Sequence, residues 1–175
     1  MGRETVLVDG RPTPTLAELL RPGLKAVFVG LNPSPTSVAA GHYYQGRHGR
    51  TLWKRLQKFG ILAPAPAGQE DVHAFASGFG FADLVRRPTR GASDLTRREK
   101  QEAVDDLINR LGGLGDKPII AFVYAEPAEL AGARLIAEGY VVERMPGPYA
   151  PTSVVEARMN DLRSAIERGG RTGTS

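Results

Sequence analysis

Four consecutive apolar residues, Ala26-Val27-Phe28-Val29, run directly into Gly30-Leu31-Asn32-Pro33-Ser34-Pro35. A short apolar run of this kind suits a strand buried on both faces of a parallel sheet. The six residues after it cannot extend that strand, because the glycine admits unusual backbone angles and the two prolines fix φ and remove backbone donors. They read as a rigid polar loop. Such a loop after a buried parallel strand lies in the crevice at the carboxyl edge of the sheet, where open α/β folds bind their ligands. Beyond it His42, Tyr43, Tyr44, Arg47, His48 and Arg50 stand among glycines, an aromatic and basic mixture that suits a base and its phosphates.

The rest of the chain alternates strands with helices. Residues 5–8 read as a short edge strand and residues 15–20 as a short helix before the Arg21-Pro22-Gly23 turn. A helix is expected over residues 51–59, with Leu52, Leu56 and Phe59 on one face and Trp53 in or at the edge of the core. Residues 63–68, rich in proline and alanine, are a loop, and residues 79–83 a second strand. Thr96 and Glu99 match a capping box that opens a helix to about Leu111. Residues 118–124 form another apolar strand, residues 127–138 a helix begun by a proline, and residues 140–144 the last strand. A second capping-box pattern, Ser153 with Glu156, opens a final helix to about Arg168, and residues 169–175 are expected to be a disordered tail. The fold class is therefore α/β: one domain over residues 1–168, a three-layer α/β/α sandwich with a mostly parallel central sheet. Loops after about Val29, Phe81 and Arg144 then share one sheet edge.

Composition narrows the partners. A chain of 175 residues with 41% hydrophobic residues is one ordinary globular domain, and no run approaches the roughly 18 apolar residues of a membrane span. Met1-Gly2-Arg3-Glu4 lacks the apolar core of a signal peptide. Zero cysteines exclude disulfides, thiolate metal sites and cysteine-ligated iron–sulfur clusters, and fit a cytoplasmic protein of the bacterial cytoplasm or nucleoid. The net charge is +4. Its cations cluster in two places: Arg47, Arg50, Lys54, Arg55 and Lys58, then Arg86, Arg87, Arg90, Arg97, Arg98 and Lys100. That is the footprint of phosphate contacts, or else of a solvated surface.

The stretch from Val27 to Gly30 with Leu31-Asn32-Pro33-Ser34, followed by Gly41-His42-Tyr43-Tyr44 and by Leu52-Trp53-Lys54, resembles the mismatch-specific uracil/thymine DNA glycosylase family. In that family a G-[IL]-N-P-G loop precedes a glycine-rich aromatic segment ending in Phe-Trp-Lys. The resemblance continues in Gly80-Phe81-Ala82-Asp83-Leu84-Val85-Arg86-Arg87-Pro88-Thr89, similar to the family's G-x-x-x-L-V-x-R-P-T, and spans roughly residues 21 to 165. It implies an enzyme of the uracil-DNA glycosylase superfamily that flips uracil, thymine or another damaged base out of DNA, for instance from a mismatch with guanine. The enzyme would hydrolyse the N-glycosidic bond without a cofactor and act as a monomer.

The resemblance also assigns residues. Asn32 is the catalytic asparagine; an amide cannot be a general base, but it can hold a water through one group and the sugar or base through the other. Gly30, Leu31, Ser34 and Tyr44 form the base site, with Tyr44 as the stacking aromatic and Tyr43 as the alternative. Ser34 departs from the family's glycine. The third family loop, N-P-S-G-L-S, is replaced by Gly147-Pro148-Tyr149-Ala150-Pro151-Thr152, so that Pro148 and Tyr149 become the candidates to fill the gap in the base stack. Arg47, Arg50, Arg86 and Arg87 are the expected phosphate contacts.

One reading comes from the residues alone. Asp83 ends the second strand, beside the strand that leads to Asn32, and an ionised carboxylate there could take a proton from attacking water and stabilise positive charge on the sugar. It is the second catalytic candidate, the alternative being a surface aspartate paired with Arg86 or Arg87. His42 and His48 lack a third ligand nearby in sequence, so no metal site is expected. Two other functions stay open: a non-catalytic nucleic-acid or nucleotide-binding domain on this fold, and an unrelated α/β hydrolase. The second lacks a G-x-S-x-G elbow or a phosphate loop.

Overall fold

A computed structural model describes residues 2–171. Its central sheet is built from β3 (Ala26–Gly30), β4 (Phe79–Asp83), β5 (Ile119–Phe122) and β6 (Val142–Arg144), all parallel in the order β4-β3-β5-β6. Each of the first three is wholly buried, and their side chains alternate between two cores, as the period of two requires. On one face Ala26, Phe28, Phe79, Phe81, Ile119 and Ala121 meet Leu52, Trp53 and Leu56 of α2 (Arg47–Lys58) and Met159, Leu162 and Ala165 of α6 (Thr152–Arg171). On the other, Val27, Val29, Ala82, Ile120 and Phe122 meet Val104, Leu107 and Leu111 of α4 (Arg97–Gly112) and Ala128, Ala131 and Leu135 of α5 (Ala125–Ala137). This is the three-layer α/β/α sandwich.

The N-terminal segment departs from expectation. Strands β1 (Arg3–Val8) and β2 (Arg11–Leu16) pair as an antiparallel hairpin outside the central sheet, joined at Asp9-Gly10. Residues 15–20 are not a helix: Thr15 and Leu16 end β2, and Leu19 exchanges two backbone hydrogen bonds with Phe81 at the β4 edge. The Thr15 hydroxyl donates to the Arg86 carbonyl, so tertiary pairing overrides any local helical preference.

Other boundaries shift by a few residues. α2 begins at Arg47, not Thr51, because Gly49 lets its first turn close on the backbone of Tyr44; a Cβ there would sit 1.9 Å from the Tyr44 carbonyl oxygen. Two short helices, α1 (Pro35–Ala40) and α3 (Glu70–Ala76), were not foreseen. α1 uses Pro35 at its first turn and Ser34 as its cap. The Thr96–Glu99 capping box is formed at α4. α6 runs to Arg171, three residues into the expected tail, and residues 172–175 of that tail lie outside the described residues. No helix among the described residues is long and apolar enough to cross a membrane.

Candidate active site

The carboxyl ends of β3 and β4 are in register, Gly30 opposite Asp83, and the loops that follow are laced together. Leu84 N–H donates to the Gly30 carbonyl (2.9 Å), Val85 to Leu31 (2.8 Å) and Thr89 to Pro33 (3.2 Å). Side chains tighten the join: Asn32 Nδ2 donates to the Arg87 carbonyl (2.9 Å) and to Thr89 Oγ1 (2.7 Å). A carbonyl can only accept, which fixes the amide's orientation. The nitrogen of Asn32 is thus spent on the second loop, and its Oδ1 alone remains for a ligand. The expectation that both ends of the amide would serve the substrate is corrected accordingly.

These loops and the start of α2 enclose a cavity of about 630 Å³, within the usual size range of small-ligand sites. Leu31, Asn32, Ser34, Tyr43, Tyr44 and Asp83 all line it. Gly30 lies just beneath: a Cβ on it would stand 2.3 Å from Asp83 Oδ1 and 3.1 Å from the Tyr44 hydroxyl, so only glycine leaves room for both groups. The Ser34 hydroxyl accepts the Ser37 N–H as a helix cap and sits 3.1 Å from Ser37 Oγ.

Asp83 is only 3% exposed. Burial, reinforced by Glu18, lifts its carboxyl pKa to about 7 against the opposing pull of Arg86 and Arg110. No hydrogen bond or ion pair reaches its carboxylate from the described residues; only its main-chain carbonyl is held, by Arg110. The pairing with Arg86 or Arg87 that would have made it a surface residue does not occur. Tyr44 adopts a left-handed backbone (φ 55°), rare for a side chain of this size. Its half-buried ring packs edge-on against Trp53 and Phe81 (centroids 6.0 and 6.2 Å), and its hydroxyl is buried without a partner. Tyr43 is deeper, against Phe81, with its N–H on Asp71 Oδ2. Burial, with Asp83 nearby, raises both phenol pKa values well above the ordinary 10.

The two cation clusters divide by partner. Arg47 and Arg90 line the cavity and Arg50 lies outside its lining; all three are exposed and have no partner among the described residues. Arg86 instead pairs with Glu4 and Glu18 and donates to the Leu16 carbonyl, while Arg87 binds Glu99 (2.7 and 3.1 Å) and the Asp94 carbonyl. Both guanidiniums tie the second loop to its neighbours rather than stand free. Arg55 donates to three successive carbonyls, Pro146, Gly147 and Pro148 (2.9, 2.9 and 3.3 Å), and so fixes the third loop. Tyr149 beyond it is 80% exposed and meets the edge of His48. His42 is on Asp71 (2.9 Å) and His48 on the Tyr149 hydroxyl (3.4 Å), so the two histidines serve different partners.

Sequence reading missed Thr89, Arg90, Tyr124 and Glu126, which line the same cavity. Tyr124 and Glu126 follow β5, the third of the four parallel strands, whose carboxyl end the edge rule should have included. Arg90 was visible only as one cation among eleven.

Two comparisons bear on this geometry. The family model of the uracil DNA glycosylase superfamily matches residues 17–144. The solution NMR structure of a candidate uracil DNA glycosylase from Methanosarcina acetivorans superposes with a TM-score of 0.64 at 15% identity, covering 89% of this chain and 97% of that one. At that identity the likeness speaks for the fold, which agrees with the parallel four-stranded sheet and its flanking helices. The sequence match extends from the end of the hairpin through β6 and takes in the laced loops and the cavity floor, and on it the chain belongs to the uracil DNA glycosylase superfamily.

Proposed function

We propose that this protein is a monofunctional DNA glycosylase that takes uracil, and by its resemblance also thymine or another damaged base mismatched with guanine, out of the duplex and hydrolyses its N-glycosidic bond. The observation that carries this reading is the cavity floor: a buried, unpartnered carboxylate, Asp83, shares the cavity with the one free amide oxygen of Asn32. A module that only bound nucleic acid would gain nothing from an unpaired carboxylate at a site for polyanions.

The chemistry follows from those groups. With the nucleotide flipped into the cavity, a water molecule attacks the sugar carbon as the C–N bond breaks and its electron pair leaves with the base. One proton of that water passes to the Asp83 carboxylate, whose negative charge also offsets the positive charge developing on the sugar. Asn32 Oδ1 accepts a hydrogen bond from the water and orients it. Tyr44 offers its ring to the base, a contact worth roughly 1–3 kcal/mol. The free guanidiniums of Arg47, Arg50 and Arg90 are the phosphate contacts. Pro148 and Tyr149 enter the space the base vacates, and the protein acts as a monomer without a cofactor.

The direct test is strand cleavage at the abasic product, after alkali, of uracil-containing duplexes with guanine or adenine opposite and of single strands. Wild-type protein should release the base, and Asn32→Ala should be slower by about 10²-fold, the scale of one lost preorganised polar group, with duplex affinity little changed. No cleavage of any of these DNAs by the wild type would end the reading, and an undiminished single-turnover rate in Asn32→Ala would remove the asparagine from the mechanism.

A further inference from the structure

The Tyr44 hydroxyl is a buried polar group that nothing among the described residues satisfies. Left so, it is unfavourable, and the left-handed backbone that carries it adds to the cost. The surroundings nonetheless enforce the arrangement. Gly49 is the residue that lets α2 close on the Tyr44 carbonyl, Trp53 and Phe81 wedge the ring from two sides, and Gly30 clears the space beneath the hydroxyl. The same space holds Asp83 Oδ1. The phenol and the carboxylate oxygen both crowd the vacant Cβ direction of Gly30, at 3.1 and 2.3 Å. Their separation is therefore at most about 5.4 Å, a range that includes the roughly 4.5 Å one water spans with two hydrogen bonds of about 2.8 Å each at its tetrahedral angle.

We propose that the Tyr44 hydroxyl and the Asp83 carboxylate hold the attacking water between them, which makes Tyr44 a water-positioning residue as well as a base-stacking one. This deepens the glycosylase reading and rests on it. The Tyr44 hydroxyl donates to one lone pair of the water, whose two hydrogens go to the Asp83 carboxylate and to Asn32 Oδ1, leaving its other lone pair facing the cavity and the sugar carbon. As the new C–O bond forms and the C–N bond breaks, the hydrogen on Asp83 transfers to the carboxylate. The hydrogen held by Asn32 Oδ1 stays with the oxygen and becomes the hydroxyl of the abasic sugar. The two roles of the tyrosine do not compete, because stacking uses the ring face and hydrogen bonding the in-plane edge.

Tyr44→Phe separates them. It keeps the ring and removes only an atom that has no partner among the described residues, so Tm should hold or rise, and affinity for uncleaved uracil-containing duplex should stay within about twofold. The single-turnover rate should fall about 10- to 100-fold, the worth of one hydrogen bond to a reacting group. In an Asp83→Asn background the same change should cost less than about twofold, since both groups act through one water. A Tyr44→Phe rate within twofold of wild type overturns the proposal and leaves Tyr44 a stacking ring, as does an equal loss in both backgrounds. Should the wild type itself cleave none of the DNAs, the glycosylase reading fails and this proposal with it. Wild-type cleavage alongside an unimpaired Tyr44→Phe sinks the water site alone.

Discussion

Two aspartates in this protein are buried almost equally, Asp71 at 1% exposure and Asp83 at 3%, and their surroundings could hardly differ more. Asp71, in the first turn of α3, accepts the N–H groups of Tyr43 and Val72 and contacts His42 Nδ1, all at 2.8–2.9 Å. Asp83 faces the cavity with its carboxylate unheld. Burying an ionisable group without partners is unfavourable, which is why most such groups in native proteins are satisfied. One carboxylate here fixes a loop, and the other is kept free at a cost to stability. Partnering, not burial or residue type, separates the groups that hold the fold from those available to a ligand.

Asparagine at each position tests the contrast most severely. Asp83→Asn should lower the excision rate by 10²-fold or more, at least as far as Asn32→Ala, because it removes the proton acceptor. Its effect on stability should have the opposite sign. The folded protein holds a proton on Asp83 up to about pH 7, whereas the unfolded chain releases it near 3.9. The stability that goes with the neutral carboxyl is therefore present below the lower value and lost as pH rises through 7. Asp83→Asn should accordingly raise Tm at pH 8, by roughly 2–4 °C per kcal/mol relieved, and leave it unchanged near pH 4. The wild-type rate should climb with unit slope up to about pH 7 and then level. Burial above all, then Glu18 against Arg86 and Arg110, sets where that occurs. Asp71→Asn should instead lose about 1–3 kcal/mol of stability at neutral pH. Equal melting shifts for the two variants at pH 8, or a flat wild-type pH profile, would dissolve the distinction.

How far could this contrast have been read from the sequence? β4 was anticipated residue for residue, and the β3 strand missed only its terminal glycine, because an apolar run between polar loops has few ways to fold. Asn32, Ser34, Tyr44 and Asp83 were singled out from loops at one sheet edge, and they do line one cavity. The hairpin was misjudged at residues 15–20, since its pairing with β1 and its contact to Phe81 are not local signals. The arginines were not separable at all. A run of cations in a sequence does not reveal which acids will fold onto it, and those acids arrive from the N-terminal segment for Arg86 and from α4 for Arg87.

The same criterion of partnering divides the cations, and it predicts a smaller, opposite pair of effects. Arg47→Ala and Arg90→Ala should leave Tm within about 1 °C, weaken binding to any DNA sequence, and each lower the log–log salt slope by about one. Arg86→Ala leaves Glu18, whose pKa burial already raises, with Arg110 as its one remaining cation among the described residues, and strips the Leu16 carbonyl and Glu4 of their guanidinium partner. It should destabilise the protein by about 1–3 kcal/mol and leave the salt slope intact. Salt titrations of affinity, read beside melting curves, decide the matter. An Arg86→Ala variant with normal stability and a reduced slope would show that an internally paired guanidinium can still serve phosphate.

The smallest effect is expected at Tyr149, which lies between the two classes. Its hydroxyl reaches His48, yet the side chain is 80% exposed and the loop before it is held rigidly by Arg55. A rigid loop that presents an uncovered aromatic suits insertion into a stack that has lost a base, where the ring regains part of the unstacking energy of a few kcal/mol. The gain exists only in a duplex, because a single strand can extrude its base without opening a paired stack. Tyr149→Ala should therefore slow excision from duplex DNA by about three- to tenfold and leave single-strand excision and Tm unchanged. Comparing the two substrates under single-turnover conditions isolates the effect from any general loss of activity. An equal loss on both would make Tyr149 a support for His48 at the cavity mouth, and no loss on either would make it an ordinary surface residue.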